Sequence, residues 1–187
     1  MAESNGFSTD KIVAGVMGLS HDTTPEQEEK SFQLGKEIAK AGMIMLTGAT
    51  TGLPYHAARG AKSEGGTVIG ISPASNKKEH VEMMGKPTDN HDFIVYTGLG
   101  FMGRNSINIK TSDIIFILAG HVGTLNEFTH AFVERKVIAV LTGLGWIGDK
   151  LKEIVEVLGK EDRKILYDSN PGELVRKALD AYAEQHT

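Results

Sequence analysis

Short apolar runs alternate with longer amphipathic stretches along this chain. The apolar runs are rich in β-branched residues and end near glycine, and they predict strands at 11–18, 43–46, 67–71, 93–96, 113–118, 137–141 and 165–167. The stretches between them have helical periodicity and predict helices at 25–41, 53–64, 101–111, 124–134 and 149–158, with a closing helix that starts at Asn170. Strands and helices that alternate in this way indicate a three-layer α/β fold, with a parallel sheet covered by helices on both faces.

Two segments fall outside this alternation. Residues 74–92 are polar and follow neither period, so we expect an irregular excursion there. The first ten residues are also polar, so we expect a flexible N-terminus at 1–10 and one folded domain over 11–187. The first helix has a clear start, because Thr24, Pro25 and Gln27 have the spacing of a capping box with proline at the first helical position.

Composition and charge exclude several classes of protein. Hydrophobic residues make up 40% and charged residues 24% of the 187 residues, which is typical of a globular domain. The formal net charge is -4 with no basic stripe, so we expect no nucleic-acid partner. The absence of cysteine excludes disulfides, thiolate metal sites and a cysteine nucleophile. No apolar run approaches the roughly 20 residues of a membrane span, so we expect a cytoplasmic protein without a membrane partner.

The turn at 119–124 carries the strongest candidate chemistry. A buried strand leads into it, and a helix is predicted to begin at Gly123 and Thr124. The free amides at such a helix start, together with about half a positive charge from the helix dipole, favour a bound anion. We therefore predict a phosphate site made by Gly120, His121, Val122, Gly123 and Thr124.

The same residues have a purely structural interpretation. Glycine turns also serve only to connect a strand to a helix. Thr124 and Glu127 have the spacing of a capping box, in which Glu127 would hold a backbone N–H. Spacing alone favours neither interpretation.

Other turns lie at the same predicted edge of the sheet, where parallel sheets bind ligands beyond the carboxyl ends of their strands. From them we add six candidate ligand-binding residues: Gly18, Ser20, Gly48, Thr51, Gly52 and Gly100. The segment 47–53 lacks the G-x-G-x-x-G spacing, and no acidic residue ends the next strand, so a dinucleotide cofactor is disfavoured. A Gly-Lys-Ser/Thr phosphate loop is absent as well. Arg104 starts a helix after the strand 93–96, where it could pair with phosphate or with Glu127, and the next residue, Asn105, is a further candidate ligand-binding residue.

The histidines are weaker candidates, and we predict neither a metal site nor a cofactor. None of the seven stands in an H-E-x-x-H or H-x-x-E-H pattern. His121 is interpreted as a solvated loop residue within reach of a ligand, and His56, His80 and His91 as surface residues. Leu125, Phe128 and Phe132 form a helical stripe that we assign to the core, which leaves Glu127 to face the site or water.

These residues together resemble the LOG-type proteins, often called "possible lysine decarboxylases". They belong to a wider Rossmann-like superfamily that includes molybdenum-cofactor carrier proteins. That family has an arginine early in one helix and, after the next strand, the motif P-G-G-x-G-T-x-x-E. Here Arg104 precedes Glu127 by 23 positions across the strand, and residues 48–53 and 60–73 resemble the family's earlier turn, helix end and strand. The resemblance covers about residues 11–180.

The resemblance implies a function for each matching position. Arg104 and Glu127 would be the catalytic pair of a nucleoside 5′-monophosphate phosphoribohydrolase, which cleaves the N-glycosidic bond and releases the base and ribose 5-phosphate. Gly120, Gly123 and Thr124 would hold the 5′-phosphate. A carboxylate beside an oxocarbenium-like centre is the general logic of glycosidic cleavage. The family also implies a homodimer or homotetramer. Nothing in this sequence resembles a pyridoxal-phosphate lysine site, so we expect no lysine decarboxylase.

Three positions differ from the enzymes of the family. Ala119 stands at the motif proline, His121 at its second glycine, and Asn105 at the usual lysine after the arginine. The arginine–asparagine pair is more similar to the cofactor-carrier branch. Two hypotheses therefore remain: a phosphoribohydrolase, or a non-catalytic protein that binds or carries a nucleotide or a pterin-type phosphate.

Overall fold

A computed structural model describes residues 11–159 and 162–186, so the predicted flexible segment 1–10 lies outside the described residues. The strands are β1 (Val13–Gly18), β2 (Ile44–Thr47), β3 (Val68–Ser72), β4 (Phe93–Tyr96), β5 (Ile114–Leu118), β6 (Val137–Leu141) and β7 (Ile165–Asp168). The helices are α1 (Pro25–Lys40), α2 (Leu53–Ser63), α3 (Gly100–Thr111), α4 (Val122–Val133), α5 (Trp146–Leu158) and α6 (Pro171–Gln185). The predicted alternation of strands and helices is confirmed.

The described strands form one parallel sheet in the order β4-β3-β2-β1-β5-β6-β7. The chain moves outward from β1 to β4, returns through α3 to β5 on the other side of β1, and then moves outward to β7. Val16 of β1 therefore pairs with Thr47 of β2 on one side and with Phe116 of β5 on the other. This reversal of strand order opens a crevice at the carboxyl ends of β1 and β5.

The core has two halves, one on each face of the sheet. Leu34 and Ile38 of α1, Ala57 of α2 and Leu174 of α6 are buried against one face. Ile109 of α3, Phe128 of α4 and Leu151 of α5 are buried against the other. The fold is therefore the expected three-layer, Rossmann-like α/β domain, and the predicted stripe of α4 does pack into the core.

Helices α1 and α2 approach each other closely because glycine lies at their crossing. A Cβ at Gly35 would overlap the backbone of Ala57, and a Cβ at Gly60 would overlap the backbone carbonyl of Phe32. The start of α1 is as predicted: the Gln27 N–H donates to Thr24 Oγ1 at 3.3 Å, and the Thr24 N–H donates to Gln27 Oε1 at 2.9 Å. None of the helices within the described residues is both long and apolar enough to cross a membrane.

Two helices begin earlier than the sequence indicated. α4 starts at Val122 rather than at Gly123 or Thr124, because His121 is already the extended N-cap residue. α5 starts at Trp146 rather than at Asp149. The Asp149 carboxylate instead accepts the N–H groups of Gly143 and Gly145 at 2.9 and 2.8 Å, so it orders the loop ahead of the helix.

The excursion 74–92 is irregular, as predicted, but it contains a π-helical turn at Glu79–Met83. His80 lies in this turn and is fully buried, so its assignment to the surface was wrong. His56 and His91 are partly buried. His91 Nε2 lies 3.0 Å from Thr47 Oγ1, which connects the end of the excursion to β2.

Candidate functional site

A cavity of about 380 Å³ lies at the crevice between the carboxyl ends of β1 and β5. Ten of the predicted site residues line it: Gly18, Ser20, Gly48, Arg104, Asn105, His121, Val122, Gly123, Thr124 and Glu127. The fold therefore brings together the ends of β1, β2 and β5 with the first turns of α3 and α4. Four other predicted residues, Thr51, Gly52, Gly100 and Gly120, are not part of its lining.

Those four residues lie outside the cavity lining, and each has local contacts or exposure of its own. Gly120 has a φ of 97°, and a Cβ on it would overlap the side chain of Thr124, so it is needed to form the turn. Gly52 has a φ of 75° and lies against the carbonyl of Leu19. The Thr51 hydroxyl donates to the Ser20 carbonyl at 2.7 Å. Gly100 is exposed at the start of α3.

Residues 121–124, at the start of α4, line the cavity. His121 is the N-cap residue, but its side chain makes no cap hydrogen bond. The first amide N–H groups of α4 therefore have no side-chain acceptor from the N-cap position. Gly123 has open space where a Cβ would be. Ala119, just ahead of the turn, has a φ of 52°, a left-handed conformation that an alanine rarely adopts. Non-glycine residues in this conformation are strained and occur often at functional sites.

Arg104 and Glu127 form a buried ion pair on the wall of the cavity. Arg104 Nη1 lies 3.2 Å from Glu127 Oε1, and the two side chains are only 7% and 8% exposed. Glu127 therefore does not cap α4, whose first residue is Val122, and the capping-box interpretation is wrong. Glu127 faces the site rather than water.

Burial disfavours the charged form of both groups, so their pKa values shift in opposite directions. Desolvation raises the pKa of Glu127 to about 6, and the attraction of Arg104 offsets only part of that rise. Desolvation likewise lowers the pKa of Arg104, while Glu127 counteracts the shift. A carboxyl group with a pKa near 6 can exist in either protonation state near neutral pH, as acid–base catalysis requires.

One glycine and two asparagines lie around this ion pair. Gly48 leaves room for the guanidinium, because a Cβ there would overlap Arg104. Asn105 Nδ2 donates to Asn126 Oδ1 at 3.0 Å, which ties α3 to α4 beside the cavity. Arg104 Nε and Asn108 Oδ1 are buried without a hydrogen-bond partner. Buried polar atoms without partners are unusual, so this region retains unused hydrogen-bonding capacity.

The predicted loop residue His121 packs against other rings. Its ring lies 4.3 Å from that of Trp146 in an edge-on arrangement and 5.6 Å from that of His21. A second, more open cavity of about 350 Å³ lies on the Trp146 side of this turn and reaches Leu125 and Lys150. His121 is thus a partly buried residue between two cavities, not a fully solvated one.

Several lining residues were not predicted from the sequence: His21, Thr50, Pro54, Lys86, Phe101 and Met102. Phe101 and Met102 precede Arg104 on α3 and are half exposed, at 50% and 55%. Lys86 comes from the irregular excursion, where no periodicity points to a site. Within residues 11–159 and 162–186, no group of three or more His, Asp or Glu side chains could hold a metal ion.

Comparison with known sequences decides the family. The model of the SLOG cluster4 family matches residues 11–175. The chain belongs to this family. Within known proteins, an uncharacterized protein of Archaeoglobus fulgidus is 32% identical over 127 residues, which is 68% of this chain and 78% of that protein.

Solved structures similar to this SLOG cluster4 protein include a molybdenum cofactor binding protein and a molybdenum cofactor carrier protein. The molybdenum cofactor binding protein of Rippkaea orientalis is 31% identical, with a TM-score of 0.77 over 96% of this chain and 100% of that chain. The molybdenum cofactor carrier protein of Chlamydomonas reinhardtii is 27% identical, with a TM-score of 0.74 over 93% of this chain and 99% of that chain. The expected resemblance to LOG-type and carrier proteins is therefore confirmed.

Proposed function

We propose that this protein binds a phosphorylated, nucleotide-like small molecule in the cavity between the ends of β1 and β5. The observation that carries the proposal is the start of α4, where residues 121–124 line the cavity, no side chain of the N-cap residue bonds the first amides, and Gly123 leaves open space. A phosphate there would accept backbone hydrogen bonds and interact favourably with the helix dipole. Thr124 lines the same wall and adds a hydroxyl donor.

A pterin-type phosphate is the ligand class that we favour. The similarity to the Rippkaea orientalis molybdenum cofactor binding protein extends over nearly the whole of both chains. Asn105 after Arg104, and His121 within the turn, also differ from the enzyme motif of LOG-type proteins. In this function the protein binds and carries its ligand without changing it.

Hydrolysis of nucleoside 5′-monophosphates is the second candidate, and the buried pair Arg104–Glu127 favours it. An ionised Glu127 would stabilise the positive charge that develops at the anomeric carbon when the glycosidic bond to the base breaks. Arg104 would hold that carboxylate in place through its 3.2 Å contact. Water would then add to the anomeric carbon, and the base would leave with a proton.

Ligand binding is tested directly with the purified protein. Thermal unfolding is followed with and without nucleoside 5′-monophosphates. In protein purified from cells that make the cofactor, the molybdenum content and the fluorescence of bound pterin are measured. A bound phosphorylated ligand raises the melting temperature in proportion to the logarithm of its concentration. The proposal is abandoned if no monophosphate shifts the melting temperature and neither molybdenum nor pterin copurifies.

Catalysis has a separate test. A panel of nucleoside 5′-monophosphates is incubated with the wild type, Glu127→Gln and Arg104→Ala, and the released base is measured. Turnover that both variants abolish supports the hydrolase. Ligand binding without release of any base supports the carrier and excludes the hydrolase for that panel.

We also propose that the protein assembles into a homodimer or homotetramer. Light scattering gives the mass of the assembly in solution, against a chain mass of 20.2 kDa. A monomer at micromolar concentration would contradict this expectation.

A further inference from the structure

Lys86 places a second positive charge in the cavity, beside Arg104. It comes from the excursion 74–92 between β3 and β4 and lines the same cavity as the start of α4. Burial lowers the pKa of Lys86, and repulsion by the Arg104 guanidinium lowers it further. Lys86 is therefore a half-buried cation in an unfavourable environment.

The two cations differ in their partners. Arg104 is neutralised by Glu127 at 3.2 Å. Among the residues that the structure describes, no carboxylate forms an ion pair with Lys86, and its hydrogen-bond partner is the neutral hydroxyl of Thr51 at 3.4 Å. The cavity wall thus has one uncompensated positive charge in addition to the partial charge of the α4 dipole. A half-buried charge without a partner destabilises the free protein, and a bound anion would supply the missing partner.

The position of Lys86 is set by the fully buried His80. The backbone carbonyl of His80 accepts the Lys86 N–H at 3.0 Å. The His80 ring holds the next residue, because its Nε2 lies 3.0 Å from the Pro87 carbonyl. His80 therefore contacts the chain at Lys86 and again immediately after it.

The hydrogen-bond partners also show which nitrogen of the His80 ring carries a hydrogen. A carbonyl can only accept, so Nε2 carries a hydrogen and donates it to Pro87. Nδ1 lies 2.8 Å from Ser72 Oγ, at the end of β3, and Ser72 Oγ already accepts the Ala74 N–H at 3.0 Å. The Ser72 hydroxyl is then free to donate to Nδ1, so both ring nitrogens have a hydrogen-bond partner. His80 therefore links the excursion to the end of β3.

We infer that Lys86 is an anion-binding residue of this cavity and that His80 is the residue that positions it. The ligand class is a phosphate ester or diphosphate that carries at least two negative charges, since Lys86 and the α4 amides act on it together. This inference rests on the proposed function only for the identity of the rest of the ligand. Inorganic pyrophosphate, which has no base, sugar or pterin, tests it alone.

The test measures pyrophosphate binding by titration calorimetry for the wild type, Lys86→Met, Lys86→Arg and Lys78→Met. Lys78 lies in the same excursion but is exposed and does not line the cavity, so it is the matched control. We expect Lys86→Met to weaken binding about tenfold or more, and Lys86→Arg and Lys78→Met to stay within about threefold of the wild type. Equal binding by the wild type and Lys86→Met, or no binding by the wild type, overturns the inference.

His80 is tested by a double-mutant cycle. If it acts by positioning Lys86, His80→Ala weakens pyrophosphate binding in the wild type but causes no further loss in Lys86→Met. His80→Gln, whose amide can still donate to the Pro87 carbonyl, is the milder variant and should retain more of the affinity. The losses of affinity would be additive if His80→Ala or His80→Gln weakened binding as much in Lys86→Met as in the wild type. That result would assign His80 a structural role only and overturn its positioning role.

The outcome is separable from that of the proposed function. Adenosine 5′-monophosphate and adenosine are titrated in parallel with pyrophosphate. If pyrophosphate binding depends on Lys86 and no nucleotide or pterin ligand binds, the anion site stands and the proposed function fails. If the monophosphate binds and neither it nor pyrophosphate depends on Lys86, the function stands and the inference fails.

Discussion

Arg104 and Glu127 lie 23 residues apart in sequence, on α3 and α4, yet Arg104 Nη1 is 3.2 Å from Glu127 Oε1 with both side chains buried. The strand β5 separates them along the chain, and the two helices pack side by side on one face of the sheet. Gly48, at the end of β2, provides the space into which the guanidinium extends. Three elements thus meet at one ion pair on the wall of the cavity.

Gly48→Ala should displace this ion pair. The new Cβ would overlap the Arg104 guanidinium, so the arginine must move away from Glu127 or the backbone must shift. We expect a loss of about 1–3 kcal/mol in the free energy of unfolding, measured by urea denaturation. Ligand binding in the cavity should weaken as well. An unchanged unfolding free energy would show that the guanidinium can be accommodated elsewhere at no cost.

Gly123→Ala should separate binding from stability. Its Cβ would extend into open space, and alanine is the better helix former by up to about 1 kcal/mol, so the unfolding free energy should be unchanged or slightly higher. The same methyl group narrows the wall where we place the phosphate. Pyrophosphate affinity should therefore fall in calorimetry while the melting temperature is retained. Undiminished affinity would mean that the anion lies away from the start of α4.

Glu127 should make stability depend on pH in a defined window. Its pKa is about 6 in the folded protein against 4.5 as its ordinary value, so the folded state holds the proton more tightly. The stabilising contribution of Glu127 to the free energy of unfolding is therefore fully present below pH 4.5 and is lost as pH rises through 6. Relative to Glu127→Gln, the wild type should lose on the order of 2 kcal/mol of unfolding free energy between pH 4.5 and pH 7.

Urea denaturation of both proteins at several pH values measures this difference, since the other titrating groups are shared and cancel. A difference that stays constant with pH would mean that Glu127 has an ordinary pKa. If the protein is a hydrolase, the rate of base release should rise with pH through about 6, because the ionised carboxylate is the active form.

Gly35→Ala and Gly60→Ala should each destabilise the crossing of α1 and α2. Both new methyl groups would overlap the backbone of the opposite helix, which side-chain rotation cannot relieve. We expect losses of about 2 kcal/mol or more in urea denaturation, although alanine is the better helix former. Gly172→Ala in the first turn of α6 is the control, because its Cβ would come no closer than 3.4 Å to Asn170 Oδ1. Equal stability of all three variants would contradict the close approach.

The helices and strands could be predicted from sequence because their signals are local. Thr24, Pro25 and Gln27 define the start of α1 through contacts within four residues. The helical period of Leu125, Phe128 and Phe132 marks the face of α4 that is buried. Errors in the starts of α4 and α5 came from contacts at the boundary itself, such as the Asp149 carboxylate that binds the loop before its helix.

By itself, the sequence determined the parallel α/β fold, the glycine turns at its edge and most residues around the cavity. Hydrophobic period and turn chemistry act over a few residues, so they can be read from a local segment. Only the tertiary structure decided that Glu127 pairs with Arg104, that His121 packs on Trp146, and that Lys86 reaches the cavity from an irregular segment held by His80. Those relationships depend on strand order and helix packing between residues distant in sequence, and no local period encodes them.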